Sequence, residues 1–363
     1  MNIKFPLAAG ETALHQILPA MGPEEIRSLV AFNNIPSPDF LDQLDAQVME
    51  LIKLENPQTL WDAESLQSEL SEFFTKQERD TYGNWVYYPW RNAFVRVLPE
   101  EDFIKVRTVR NKFKITAEEQ EKLASKKIGI IGLSVGQSVA LALAMERLFG
   151  ELRIADFDHL ELGNMNRIRT GLTNLGLPKT LIVQREIAEI DPFLKVVVFE
   201  EGIHEGNLFD FLDGRGKLDL LIEECDGIEM KIMSRIAAKK MQIPVLMDTS
   251  DRGMMDIERF DLQPKRPIFH GRLAQFGDEE SLVDNFAQKR MAILTAILDM
   301  EQLSPRAKTS IAEMGKTITN WPQLASSVIM GGGMCAHVAR NLLLGNSVPS
   351  GRFYIDLDEL IRE

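Results

Sequence analysis

The segment KIGIIGLSVG (residues 127–136) decides how this chain of 363 residues is read. Its first half is an apolar run, the composition of a strand buried on both faces. Gly132 falls where the backbone has to turn sharply, and Gly136 lets the next helix pack close to the strand. A helix opening there directs unpaired N–H groups beyond the strand end, which favours an anion. A second strand ends at Asp156, 24 residues after Gly132, close to the spacing of an acid that holds a ribose. Asp158, Asn164, Arg167 and Lys179 follow. A loop for phosphates, an acid for a ribose and cations for the remaining charge thus occur in that order. Taken alone, the loop also reads as a tight strand–helix turn, and Asp156 as a turn cap.

Outward from this segment the pattern repeats. Strands at 128–131, 152–155, 195–199, 218–222 and 243–247 alternate with helices at 136–148, 178–189 and 229–240. The alternation predicts an α/β fold: a Rossmann-like, doubly wound, mainly parallel sheet with helices on both faces. Strand sequences such as KVVVF and LDLLI are nearly continuous apolar runs, as expected when both faces are covered. A helix is expected near 287–298, a buried helix over 329–344 around three successive glycines, and a last short strand over 352–355. Residues 1–80 read as helical and acidic, with helices opening at Pro23 and Pro38. Residues 82–98 read as an aromatic hairpin that turns through Pro89–Asn92, and Thr116 to Glu119 has the spacing of a capping box. Two regions are therefore expected: an N-terminal helical region with the hairpin, 1–104, and a main α/β domain, 105–363.

Composition excludes several classes. A formal charge of −13 argues against a general binder of nucleic acid or of anionic membrane. No run approaches the ~20 apolar residues of a membrane span, and the N-terminus MNIKFPLAAGET is too weakly patterned for a signal peptide. The two cysteines, Cys225 and Cys335, cannot build a disulfide framework, and a reducing cytoplasm is expected.

Several ordered motifs carry a family resemblance. DFDHLELGNMNR (residues 156–167) resembles the D-x-D-x-V-x-x-S-N-L-x-R signature of the ThiF/MoeB family, the bacterial relatives of ubiquitin-activating enzymes. GLPK (176–179) resembles the family's G-x-x-K, and Glu224-Cys225-Asp226 follows a strand as its C-x-D does. Arg107 to Asn111 resembles R-Y-S-R-Q, and the glycine-rich stretch from Gly331 to Gly345 resembles the late helix of that fold. The resemblance spans roughly 105–357. It implies an ATP- and Mg²⁺-dependent adenylyltransferase that activates a carboxylate, with the C-terminus of a ubiquitin-like protein or a peptide as the acid. It implies that Asp156 binds the ribose, with Asp158 beside it. Gly132, Ser134 and Gly136 line the nucleotide, Asn164 positions the phosphate region, and Arg167 and Lys179 bind the phosphates. Asp226 holds the metal. Arg110 matches an arginine that reaches ATP bound mainly by a second subunit, which implies a homodimer with shared sites. Arg110, Arg167, Lys179 and Asp226 form the implied catalytic set.

This chain departs from the family in places. Ser134 stands where the family loop has glycine, Gly227 where it often has asparagine, and Lys231 where an arginine is expected. Two cysteines cannot supply two C-x-x-C zinc pairs. Cys225 adjoins acids that raise a thiol pKa and Cys335 lies in an apolar helix, so no enzyme-bound thioester is expected. Arg252, in the loop after strand 243–247, is a further candidate for substrate contact. Two rivals remain. An NAD(P)-dependent oxidoreductase would explain Gly132, Gly136 and Asp156 but leaves Arg167 and Asp226 without roles. A non-catalytic nucleotide-binding dimer would explain the imperfect glycine loop.

Overall fold

A computed structural model gives the structure and describes Leu7, residues 14–284 and residues 286–361. Apart from Leu7, the N-terminal run weighed against a signal peptide lies outside the described residues. The chain divides into two compact units. One runs to Ala117 and takes in Ala188–Phe193; the other holds Glu118–Ile187 and the residues from Leu194 onward.

The first unit is built on a four-stranded sheet of β1 (Gln16–Pro19), β2 (Asp39–Asp42), β3 (Asn84–Tyr88) and β4 (Ala93–Val97), ordered β1-β3-β4-β2. The expected hairpin is β3–β4, which turns through Pro89–Arg91 with Asn92 left-handed at φ 47°. Helices Pro23–Phe32, Leu44–Glu55 and Ala63–Lys76 accompany the sheet. The helix expected to open at Pro38 does not: Asp39–Asp42 is a strand parallel to β4, and the helix waits until Leu44. Tertiary pairing overrides the proline signal here. Phe40 stacks on Phe94 at 5.5 Å, and the buried Arg96 guanidinium reaches Asp42 at 3.1 Å. Within this unit Tyr88 donates its hydroxyl to the Ala188 carbonyl at 3.0 Å, and Arg107 pairs with Asp191 at 3.1 Å.

The second unit is the doubly wound sheet. Its strands are β5 (Lys127–Ile131), β6 (Glu151–Ala155), β7 (Lys195–Phe199), β8 (Leu220–Glu223), β9 (Val245–Thr249), β10 (Met254–Glu258) and β11 (Gly351–Tyr354). The order is β11-β10-β9-β8-β5-β6-β7; β5 to β9 run parallel, β10 pairs antiparallel with β9, and β11 pairs antiparallel with β10. Chain order therefore reverses between β5 and β8, which become neighbours without being consecutive. That is where open α/β sheets bind ligands, at the carboxyl ends of their strands. Helices Gly136–Glu146, Lys179–Ile190 and Ile228–Lys240 connect the parallel strands, and the glycine-rich helix Ala325–Leu344 packs on Gly136–Glu146 and β9. Gly332 permits that approach, since a Cβ there would lie 2.8 Å from the Ser138 backbone.

Two features depart from the sequence reading. β7, expected to be covered on both faces, is the outermost strand and is only half-buried. β10 is not among the strands read from the sequence, and it carries two acids, Asp256 and Glu258. Both are fully buried and partnered. Arg235 reaches Glu258 at 2.8 Å and also bonds Glu223, while Asp256 takes His270 at 3.0 Å and Arg352 at 2.6 Å. Among the described residues no helix is long and apolar enough to cross a membrane.

Candidate functional site

The loops that leave β5, β6 and β8 meet at the reversal point. Gly132 has φ 87°, and its N–H donates to the Ala155 carbonyl at 2.8 Å. A Cβ at Gly132 would lie 2.7 Å from the Glu224 carbonyl oxygen and 2.8 Å from the Cys225 nitrogen. Glycine is required twice over, for the left-handed backbone and for the approach of the loop after β8. Gly136 packs on β5 for the same steric reason, its Cβ position being 2.8 Å from Ile130 Cγ2.

Asp156 is the first residue after β6 and is half-buried. Its Oδ2 accepts the Leu133 N–H at 2.7 Å and its Oδ1 accepts the Asp158 N–H at 2.8 Å. The carboxylate thereby ties the glycine turn to the loop after β6. Burial raises its pKa above the ordinary carboxylate range, and the charge of Lys179 opposes that rise. Lys179, buried at the first residue of its helix, places Nζ 2.7 Å from Asp158 Oδ2. Asp156, Asp158 and Lys179 are therefore one charged cluster beside the turn.

Arg167 comes from the other side of the same turn. Its Nε donates to Ser134 Oγ at 3.0 Å, and Nη1 donates to Asn166 Oδ1 at 2.9 Å and to the Gly163 carbonyl at 3.3 Å. Burial lowers its pKa, and the Asp226 carboxylate acts against that shift. Asp226 is exposed and, among the described residues, accepts no hydrogen bond. Asn164 points elsewhere: its Oδ1 accepts the Glu161 N–H at 3.0 Å and closes the short turn that presents Arg167. Asn166, with Nδ2 on the Gln323 carbonyl at 2.7 Å, is the residue of that segment that holds the guanidinium.

Beneath the loop after β8 lie two buried acids. Burial opposes the charge on Glu223, yet Lys231 and Arg235 hold its carboxyl below the usual range. Its Oε1 accepts both the backbone N–H and the thiol of Cys225, each at 2.9 Å. Burial, and then Glu223, push the Cys225 thiol well above its ordinary pKa. Cys335 is fully buried and is raised in the same way. These surroundings give neither sulfur the electropositive, exposed setting of a nucleophile.

The structure thus brings Gly132, Ser134, Gly136, Asp156, Asp158, Arg167, Lys179 and Asp226 to one strand edge. Arg110 is exposed in the first unit. Arg252 is engaged internally, its Nε 2.7 Å from Asp356 and its Nη1 2.9 Å from the Gln302 carbonyl. Sequence reasoning missed Gln137. It is fully buried, with Oε1 on the Arg169 N–H at 2.9 Å and Nε2 on the Arg169 carbonyl at 2.9 Å and Glu186 at 2.7 Å. The signal was available: an amide at the second residue of an apolar helix needs partners.

The residues suit a nucleotide with its metal. A glycine turn that a Cβ would fill, an exposed hard-oxygen carboxylate in Asp226 and an arginine with an unengaged edge are the kinds of donor and acceptor that phosphates and a hard cation use. Among the described residues no group of three or more His, Cys, Asp or Glu side chains could hold a metal ion.

Comparison with known proteins agrees with this architecture. The sequence profile of the ThiF family matches residues 108–360, and the chain belongs to that family. It is 42% identical over 273 residues to an uncharacterised protein of Mycobacterium tuberculosis, covering 75% of this chain and 38% of that relative's length. It is 25% identical over 244 residues to the tRNA threonylcarbamoyladenosine dehydratase of Bacillus subtilis, covering 64% of this chain and 93% of the relative. Over 152 residues it is 23% identical to the molybdopterin-synthase adenylyltransferase of Haemophilus influenzae, covering 41% and 61% of the two chains. Among solved structures, the crystal structure of PaaA superposes with a TM-score of 0.50 at 19% identity, covering 80% of this chain and 92% of that one, a likeness of fold.

Proposed function

We propose that this chain is an ATP-dependent adenylyltransferase that activates a carboxylate. In the step proposed, a carboxylate oxygen attacks the α-phosphorus of ATP, the bond to the β-phosphate breaks, and pyrophosphate leaves with both electrons. Both reactants are anionic, so fixed cations and donors have to hold them together. Arg167 and Lys179 are the candidates for the phosphates, and Asp156 for the ribose hydroxyls through the lone pairs its two backbone contacts leave unused. Asp226 would hold Mg²⁺, which when bound neutralises phosphate charge. The acid is proposed to be the C-terminus of a ubiquitin-like protein or a peptide. Arg110 is proposed to act across a homodimer. No thioester on the enzyme is part of the reading, because both thiols are raised in pKa.

One observation carries the proposal: Asp156, Lys179 and Arg167 are linked around the Gly132 turn through Leu133, Asp158 and Ser134, and the Asp226 charge acts on Arg167. An oxidoreductase gives Arg167 and Asp226 no task. The test is ATP–pyrophosphate exchange in the presence of C-terminal peptides and of the same peptides as amides. Exchange with free acids alone, abolished in Arg167→Ala and Asp226→Ala, supports the reading. Tighter binding of NAD(H) than of ATP would replace it with the oxidoreductase.

A further inference from the structure

Ser134 in the glycine loop and Gln137 at the second residue of the helix that follows hold the segment that carries Arg167. The Ser134 hydroxyl accepts Arg167 Nε–H at 3.0 Å. The Gln137 carboxamide grips both backbone groups of Arg169 at 2.9 Å and is itself held by Glu186 at 2.7 Å. On the far side, the Asn166 side chain and the Gly163 carbonyl take Nη1. A guanidinium carries five N–H donors. Three are engaged here, and among the described residues nothing accepts from Nη2, so its two N–H groups form the free edge of the fork. Asp226 is the charge that acts on this guanidinium.

We propose that Ser134 and Gln137 are positioning residues: they lock the Arg167 fork so that its Nη2 edge alone is offered to the outer phosphates of ATP. This rests on the nucleotide reading above and deepens it. A glycine-only loop would leave that segment to find its own conformation, whereas these side chains order it before ligand arrives. Binding to a fork already oriented costs less side-chain entropy. The benefit is confined to a ligand with β- and γ-phosphates. AMP, which lacks them, gains nothing from it.

The test measures ATP and AMP affinity by calorimetry on the full chain, in parallel with pyrophosphate exchange. Ser134→Ala deletes the acceptor and is expected to weaken ATP binding about tenfold or more, the effect of losing one hydrogen bond to a charged group. AMP affinity and the denaturation midpoint stay at wild-type values. Ser134→Thr, which keeps a hydroxyl, recovers most of the ATP affinity. Gln137→Leu is expected to act in the same direction; because Gln137 is buried and its loss also threatens folding, Ser134 carries the decision. The proposal is overturned if Ser134→Ala binds ATP like the wild type, if AMP affinity falls in step with ATP, or if alanine and threonine behave alike. It is also overturned if the wild-type chain binds ATP no tighter than AMP. A chain that discriminates ATP from AMP but never exchanges pyrophosphate would remove the adenylation reading while leaving this one standing.

Discussion

Glu224 Oε1 accepts the backbone N–H of Asp248 at 2.9 Å, which places two buried carboxyl groups side by side against the glycine turn and the late helix. Among the described residues neither Asp248 oxygen has a hydrogen-bond partner. Burial pushes Asp248 up to about 7, and burial followed by the Asp248 charge pushes Glu224 well above the carboxylate range. Both pKa values are raised on folding, so the folded chain keeps protons that the unfolded chain releases. The stability this contributes is complete below the unfolded value near 4 and is lost as pH rises through about 7. Urea unfolding is expected to show a midpoint that falls between pH 5 and 8. Asp248→Asn should flatten part of that slope, leaving the shares due to Glu224, which burial still raises, and to Glu258, which burial also raises to about 7. A midpoint independent of pH in the wild type would show that the pair is not protonated.

Gly331 and Gly333, two residues apart on one helix, are expected to respond in opposite directions to alanine. A Cβ at Gly331 would lie 1.9 Å from Asp248 Oδ2, and one at Gly333 meets nothing within 4 Å. Gly331→Ala should destabilise by about 1–3 kcal/mol through overpacking. Gly333→Ala should stabilise by about 0.5–1 kcal/mol, as in any exposed helix interior. Denaturant midpoints of the two variants decide the matter, and equal shifts would contradict the packing.

Asp226→Asn separates folding from function. The side chain is exposed and, among the described residues, accepts no hydrogen bond, so the thermal midpoint should stay within the range of about 0.5 kcal/mol typical of surface changes. Magnesium-dependent exchange should fall by a hundredfold or more, an order typical of removing an electrostatic group from a reaction site. Arg167→Lys should behave similarly, since a point charge cannot serve Ser134, Asn166 and a phosphate together. Wild-type exchange in either variant would exclude that residue from the reaction.

Arg235→Met removes the guanidinium shared by Glu223 and Glu258 and leaves two buried carboxylates with fewer partners. A cost of roughly 3–5 kcal/mol is expected from chemical denaturation. Because Glu223 holds the Cys225 backbone, the loop carrying Asp226 should also loosen, visible as faster amide exchange at residues 225–227. A loss below about 1 kcal/mol would mean that Lys231 alone satisfies Glu223.

The parallel core was legible because apolar runs and glycine turns report the same two facts, a strand and where it ends; β5, β6 and the helix from Gly136 lie where they were read. β10 was not, because Asp256 and Glu258 are made compatible with burial by Arg235, His270 and Arg352, partners distant in sequence. The strand at Asp39 was missed for a similar reason, since its pairing with β4 overrode a local helix signal. At the site, motif order and the family resemblance named Asp156, Arg167, Lys179 and Asp226 as candidates, and the structure places them at one strand edge. Which asparagine holds the arginine could not be read in this way: Asn164 and Asn166 are equivalent in composition, and only the turn geometry assigns one to the cap and the other to the guanidinium.

β7 leaves one row of backbone donors and acceptors without a neighbouring strand among the described residues. Such a row can template pairing with another chain, and VVVF is a sequence that would comply. Exposed Lys195 stands at one end of the strand and exposed Glu200 and Glu201 at the other. These charges act as gatekeepers against fibrous self-association. Lys195 also pairs with the buried Glu151, so neutralising Glu200 and Glu201 is the change expected to spare the fold while lowering solubility.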